Sequence, residues 1–318
     1  MTAKNYLTYL HLLTPLHTGG SADEGNLMGI AREVHTEFPY LPSSSLRGKI
    51  RAELEQGETK DAAGHFFGQK IKDGNQPTEG EVWFADATLL LFPIASLSHH
   101  IIWITCPLWL DRWSRWLEAD GTSIRDLAKE CRKHISGENS PKAAITNSPY
   151  DSLYLQTALL KSDDMEQIDC NVILKALEQI IETGGFLSQL NERLIILSDE
   201  DCLALIEMGL QREVRVALHD NEKTVKDGSF RSEEAVPPEA VLFFPWGVKA
   251  DRPFHIGNKK DKAEIELEQI RYQEKLETKN ETVDKLQEIL KYRLQFGGLE
   301  GLGRGWTNLS TVQTSREK

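Results

Sequence analysis

Two apolar runs, residues 88–97 and 101–110, stand almost back to back, separated only by Ser98-His99-His100. Each is too short to cross a bilayer, which takes about 20 apolar residues. Each is also too continuous for a strand with one face in water, so both read as buried strands, spanning 81–93 and 100–110. Trp109, Trp113, Trp116 and Leu117 then recur at helical spacing, and such a stripe reads as core. Elsewhere the pattern gives strands at 6–17, 240–248 and 306–312. It gives helices at 169–184 and 200–210, and one from a Ser43 or Ser44 cap to Glu55. Residues 134–165 are polar and irregular, with Gly137, Pro141 and Pro149, and read as a loop or mobile insertion. Residues 213–238 alternate around the turn signals His219-Asp220-Asn221 and Asp227-Gly228, which predicts a hairpin. Residues 261–294 form a charged helix or helix pair, with a break expected at Asn280 or Thr282.

The 318 residues, 40% of them hydrophobic, suffice for one elaborated domain or two small ones. No signal sequence or membrane span is expected, and the protein is expected to be cytoplasmic. Cys106, Cys131, Cys170 and Cys202 form no CxxC pair and read as free thiols in a reducing compartment. The net charge of -12 argues against indiscriminate binding to a polyanion, so any such site must be local, with the acid concentrated elsewhere.

Two stretches at opposite ends of the chain suit such a site. The first holds His17, Thr18, Gly19 and Gly20, then Arg32-Glu33-Val34-His35, then Pro42-Ser43-Ser44-Ser45-Leu46-Arg47-Gly48-Lys49-Ile50-Arg51. A helix start with hydroxyls and free N–H groups suits a phosphate. Arg47 and Arg51 share a helix face, while Lys49 points away. The second stretch, Phe296-Gly297-Gly298-Leu299-Glu300-Gly301-Leu302-Gly303-Arg304-Gly305, packs five glycines and one arginine into a short loop. Glycines let a backbone approach a polyanion closely, and Arg304 is the expected phosphate contact. The loop lacks the Gly-Lys-Ser/Thr ending of a nucleotide-binding P-loop.

This pairing resembles the RAMP superfamily of CRISPR proteins, and within it the repeated backbone subunit of the type III-B (Cmr) effector. Further matching segments are 85–93, 103–107, 225–228, Glu233-Glu234 and Pro237-Pro238-Glu239. The resemblance implies an α+β fold, a ferredoxin-like (RRM-type) palm built from 1–133 and 239–318. Insertions would occupy about 134–212 and a β-hairpin thumb about 213–238. It implies copies polymerising along a CRISPR guide RNA, presenting it to single-stranded target RNA beside the other subunits of the effector. The other reading is a stand-alone RAMP endoribonuclease that processes CRISPR repeat RNA.

The RNA-binding residues so implied are Gly19, Gly20, Arg32, Ser43, Ser44, Ser45, Arg47, Lys49, Arg51, Gly298, Gly301, Gly303 and Arg304. For cleavage the candidates are His17, Asp23, Glu24 and Glu233. His17 either contacts a phosphate or assists proton transfer, or simply holds its loop in place. Active relatives carry an aspartate five positions before the arginine of Arg32-Glu33, where this chain has Leu27. They often carry an aromatic hydroxyl where Ala235 stands. Slow or absent cutting is therefore expected, with Mg or Mn a possible requirement if it occurs and no cofactor bound structurally. With one extra loop residue the position would fall on Asn26, also not a carboxylate. Asp23 and Glu24 could substitute if the loop is rearranged, but four residues of extended loop span roughly 13 Å, which argues against it.

Overall fold

A computed structural model describes residues 4–20, 23–24, 27–56, 60–68, 79–118, 120–137, 141–178, 184–217, 219, 221, 224–226, 229–249 and 262–314. The fold is mixed α+β. Among the described residues, eleven strands make one sheet, and a smaller four-stranded sheet stands beside it. The centre of the large sheet runs Ala87–Ser96, Val241–Val248, Lys4–Leu12, Trp306–Gln313. The first and last of the described strands are therefore neighbours, paired antiparallel with Tyr6 opposite Gln313 and Leu12 opposite Thr307.

Both faces of this sheet are covered. Leu46, Ile50 and Leu54 of the helix Ser43–Glu55 pack on one face with Val283 and Leu286 of the helix Lys262–Ile289. Trp113, Leu127, Ile173 and Leu190, from four further helices, pack on the other. Two-sided cover is why every residue of Val241–Val248 is buried and why the strand reads as continuous apolar sequence. Leu90 and Leu91 both face the second cluster, because the register slips by one residue where Val241 meets Leu91 and Leu242 meets Leu89.

Several expectations need correction. The expected strand 81–93 is two strands, Val82–Phe84 and Ala87–Ser96, interrupted at Ala85-Asp86. The strand expected over 100–110 stops at Thr105, because Pro107 opens a helix at the position where its missing N–H is harmless. The supposed loop 134–165 carries the strands Ala144–Thr146, Ser152–Leu155 and Ala158–Lys161. A further strand, Leu194–Leu197, lies outside the expected set and joins this region to the main sheet. The long helix runs unbroken past Asn280, and buried Thr282 sits within it rather than ending it. The expected hairpin is present: Gln211–Arg215 pairs antiparallel with Arg231–Ala235. The turn signals Asp220, Asp227 and Gly228 lie outside the described residues. All four cysteines are free and buried. No helix among the described residues is long and apolar enough to cross a membrane.

Candidate nucleic-acid interface

Three segments far apart in sequence meet at Glu233-Glu234. Successive residues of a strand point to opposite faces, so the two carboxylates serve different partners. Glu234, nearly fully buried, accepts from Arg32 Nη2 at 3.0 Å on the N-terminal side and from Arg212 Nη2 at 3.0 Å on the hairpin. Arg32 also pairs with Glu207. Burial works against the charge on Arg32, but Glu207 and Glu234 outweigh it and the pKa is raised. On the other face, Glu233 lies 2.8 Å from Arg215 Nε and 3.6 Å from Arg304 Nη2 of the glycine loop. Arg304 Nη2 is closer still, at 2.7 Å, to Glu213 Oε2 of the hairpin.

His17 ties the same three segments together through backbone groups. Its Nδ1 donates to the Glu234 carbonyl at 2.8 Å, and its own carbonyl accepts from Gly298 N at 2.8 Å. A carbonyl only accepts, so Nδ1 carries the proton and in the neutral ring Nε2 is the acceptor nitrogen. Of the two roles foreseen for His17, the geometry matches the one that holds the loop.

The glycines divide into two kinds. A side chain at Gly297 would lie 2.3 Å from the His17 carbonyl, and one at Gly305 would lie 1.8 Å from the Phe296 carbonyl, both at positive φ. Gly20 is crowded in the same way by Gly29 and Ile30, and Gly298 faces the His17 ring. These four let the chain approach itself. Gly19, Gly301 and Gly303 meet nothing within 4 Å and are exposed. They are the positions where nothing crowds the backbone, although the Gly303 N–H is already donated to the Glu300 carbonyl at 2.9 Å.

The cations are less free than the sequence suggested. Arg47 donates to the Val82 and Phe67 carbonyls at 2.8 and 2.6 Å, so it does not join Arg51 in a phosphate clamp. Burial, then the charge of Arg51, lowers its pKa, which fits the expected shared face. Arg51 itself pairs with Glu55, and Lys49 with Glu53. The helix cap is Pro42, not Ser43 or Ser44, and the Ser43 N–H is taken by the Asp86 carboxylate at 2.6 Å. Ser44 is exposed, while Ser43 and Ser45 are half-buried. Arg304 is buried and paired, rather than free for a phosphate. Acid is not confined to residues 260–290, because Glu207, Glu213, Glu233 and Glu234 sit among Arg32, Arg212, Arg215 and Arg304.

The loop before Arg32 is not extended. Asp23–Glu24 pairs antiparallel with Leu27–Met28, and Glu24 is the register partner of Leu27. Opposed residues in such a ladder lie about 5 Å apart at Cα. The distance argument against a substitute carboxylate therefore fails for Glu24. Leu27 in turn pairs with Ser232 of the hairpin and helps line a cavity of about 540 Å³, together with Ile30, Leu203, Arg32, Glu207 and Arg212. Ala235 is buried. No group of three or more His, Cys, Asp or Glu that could hold a metal ion occurs among the described residues.

Sequence reading missed Arg212, Arg215, Glu207 and Glu213. The alternation of Arg212, Glu213 and Arg215 in the hairpin strand is visible, but which faces meet the glycine loop depends on strand register, and Glu207 reaches the site from the helix Asp199–Gly209.

Residues 9–308 match the RAMP superfamily. The chain belongs to that superfamily. This RAMP protein is 27% identical over 243 residues to the CRISPR system Cmr endoribonuclease Cmr4 of Pyrococcus furiosus, covering 76% of this chain and 80% of the relative. It is 23% identical over 254 residues to the CRISPR system CMR subunit Cmr4 of Saccharolobus solfataricus, covering 74% and 81%. Among solved structures, this RAMP fold is similar to oligomeric Cmr4 from Pyrococcus furiosus, with TM-score 0.63, 23% identity and coverage of 99% and 100%. It is also similar to a chain of the type III-B Cmr-beta complex bound to cognate target RNA, with TM-score 0.67, 20% identity and coverage of 98% and 97%.

Proposed function

We propose that this chain is a backbone subunit of a type III-B CRISPR RNA-guided effector. Copies of it assemble side by side along a guide RNA, together with other subunits of the complex, and present that RNA to a single-stranded target. The observation that carries this reading is the clasp at Glu233-Glu234. It joins the N-terminal loop, the hairpin and the glycine loop beside the exposed, uncrowded Gly19 and Gly301. Open backbone N–H groups hold phosphates without reading bases. The half-exposed Arg212 and Arg215 of the hairpin add charge beside them. In this reading the large sheet is the ferredoxin-like palm, the segment 134–212 is inserted in it, and the hairpin at about 213–238 is the thumb.

The names of the relatives support the assignment, since one is a Cmr endoribonuclease and another a CMR subunit. Cutting by this chain is slow or absent, because Leu27 stands where active relatives carry an aspartate, and the carboxylates of Glu207 and Glu234 in the same cavity are engaged by Arg32 and Arg212. Mg or Mn is the expected cofactor of any residual activity. The test is size-exclusion chromatography with and without single-stranded guide RNA, followed by labelled complementary RNA with Mg²⁺, Mn²⁺ or chelator. RNA-dependent oligomers with uncut target are the expected result. A small species that cuts repeat RNA would favour the stand-alone processing enzyme and overturn the proposal.

A further inference from the structure

Arg304 is the one cation in the glycine loop, yet it is only 6% exposed. Its Nη2 contacts the carboxylate of Glu213 at 2.7 Å, while its Nε is buried without a hydrogen-bond partner. The Nε–H and Nη2–H of a guanidinium form one edge, a fork that matches two oxygens of a phosphate. Only half of that fork is used here. The two carboxylates near it differ in access. The Glu233 side chain is 6% exposed and holds Arg215 at 2.8 Å, whereas that of Glu213 is 38% exposed and its other partners, Gln211 at 2.6 Å and Arg215 at 3.3 Å, are on its own strand. Gly303 and Gly301, beside Arg304, leave room for a strand of RNA to arrive.

We propose that Glu213 is a built-in competitor for an RNA phosphate at Arg304. In the free protein its carboxylate covers the fork. When RNA enters the glycine loop, a phosphodiester takes both Nε–H and Nη2–H, Glu213 swings out to solvent, and Glu233 stays to position the guanidinium. The inference rests on the RNA-binding reading above and names its phosphate subsite. It also accounts for an RNA-binding protein with a net charge of -12, because the intramolecular acid makes weak or non-specific polyanions compete for the site.

The experiment is fluorescence-anisotropy binding of labelled single-stranded RNA across a salt series. Removing the competitor by Glu213→Gln is expected to tighten binding about tenfold, the scale of one charge-assisted contact. Glu300→Gln removes the same charge from the exposed part of the loop without touching Arg304, and gains less than about twofold. In an Arg304→Lys background, which keeps the charge but not the fork, the gain from Glu213→Gln disappears. Hydrogen exchange at Gln211–Arg215 in the native protein is expected to quicken when RNA is added. Weaker or unchanged binding by Glu213→Gln, or a gain that persists undiminished in the Arg304→Lys background, would overturn the competitor while leaving the RNA reading in place. Failure of the unsubstituted protein to bind RNA at any salt would instead overturn the RNA reading, and the phosphate subsite with it.

Discussion

Arg47 donates to two carbonyls, those of Val82 and Phe67, both on buried residues, and its guanidinium lies over the Phe67 ring. Arg47→Met leaves both acceptors without their donor, which costs about 1–3 kcal/mol each. We expect a loss of about 2–4 kcal/mol in urea denaturation. RNA affinity per folded molecule should stay unchanged. Lys49→Ala and Arg51→Ala break partly exposed helix pairs and should cost under about 1 kcal/mol. The basic character of this helix start is plain in the sequence. Its use is not, because a carbonyl on a distant segment carries no sequence signal. Leu27 poses the complementary question. Leu27→Asp puts a carboxylate at the cavity, and we expect it to raise target cutting on a sequencing gel. If the unsubstituted protein cuts robustly and Glu24→Ala abolishes this, the carboxylate opposite Leu27 in the ladder does the work.

The hairpin is an element whose two strands are bound to the body mostly by charge. Arg32 and Glu207 meet Glu234 and Arg212 from one side of the body, Arg304 meets Glu213 and Glu233 from the other, and Val214 is 68% exposed. Removing residues 216–230 and joining Arg215 to Arg231 with a two-residue Asn-Gly turn keeps the paired ladder and both carboxylates. The melting temperature is expected to hold within a few degrees, while RNA-dependent oligomers are lost on size-exclusion chromatography. Such a hairpin is legible because its alternation is local. The strands at 144–161 are not, since Ala144–Thr146 is three residues long and its partners, Met165–Gln167 and Leu194–Leu197, come later in the chain. The helix break expected at Thr282 fails for a related reason. A β-branched residue weakens an isolated helix slightly, but Thr282 and Val283 are buried against the sheet, and tertiary packing decides.

At the scale of the whole molecule, the site is assembled from segments nearly 300 residues apart. Its N-terminal loop and glycine loop are brought together because the strands Lys4–Leu12 and Trp306–Gln313 pair side by side. Across the other edge of Lys4–Leu12 lies Val241–Val248, so both of its partners are distant in sequence. The nascent chain feels this arrangement. At about 5–20 residues per second, the first strand leaves the ribosome on the order of tens of seconds before its last neighbour exists. Both of its edges are unpaired until Val241–Val248 is made, and one stays so until Trp306–Gln313 follows, the kind of surface that holdase chaperones cover. A chain released before residue 306 is expected to aggregate, as read by sedimentation, whereas full-length protein made in the same extract stays in the supernatant. Translation thus has to finish before the clasp at Glu233-Glu234 can close.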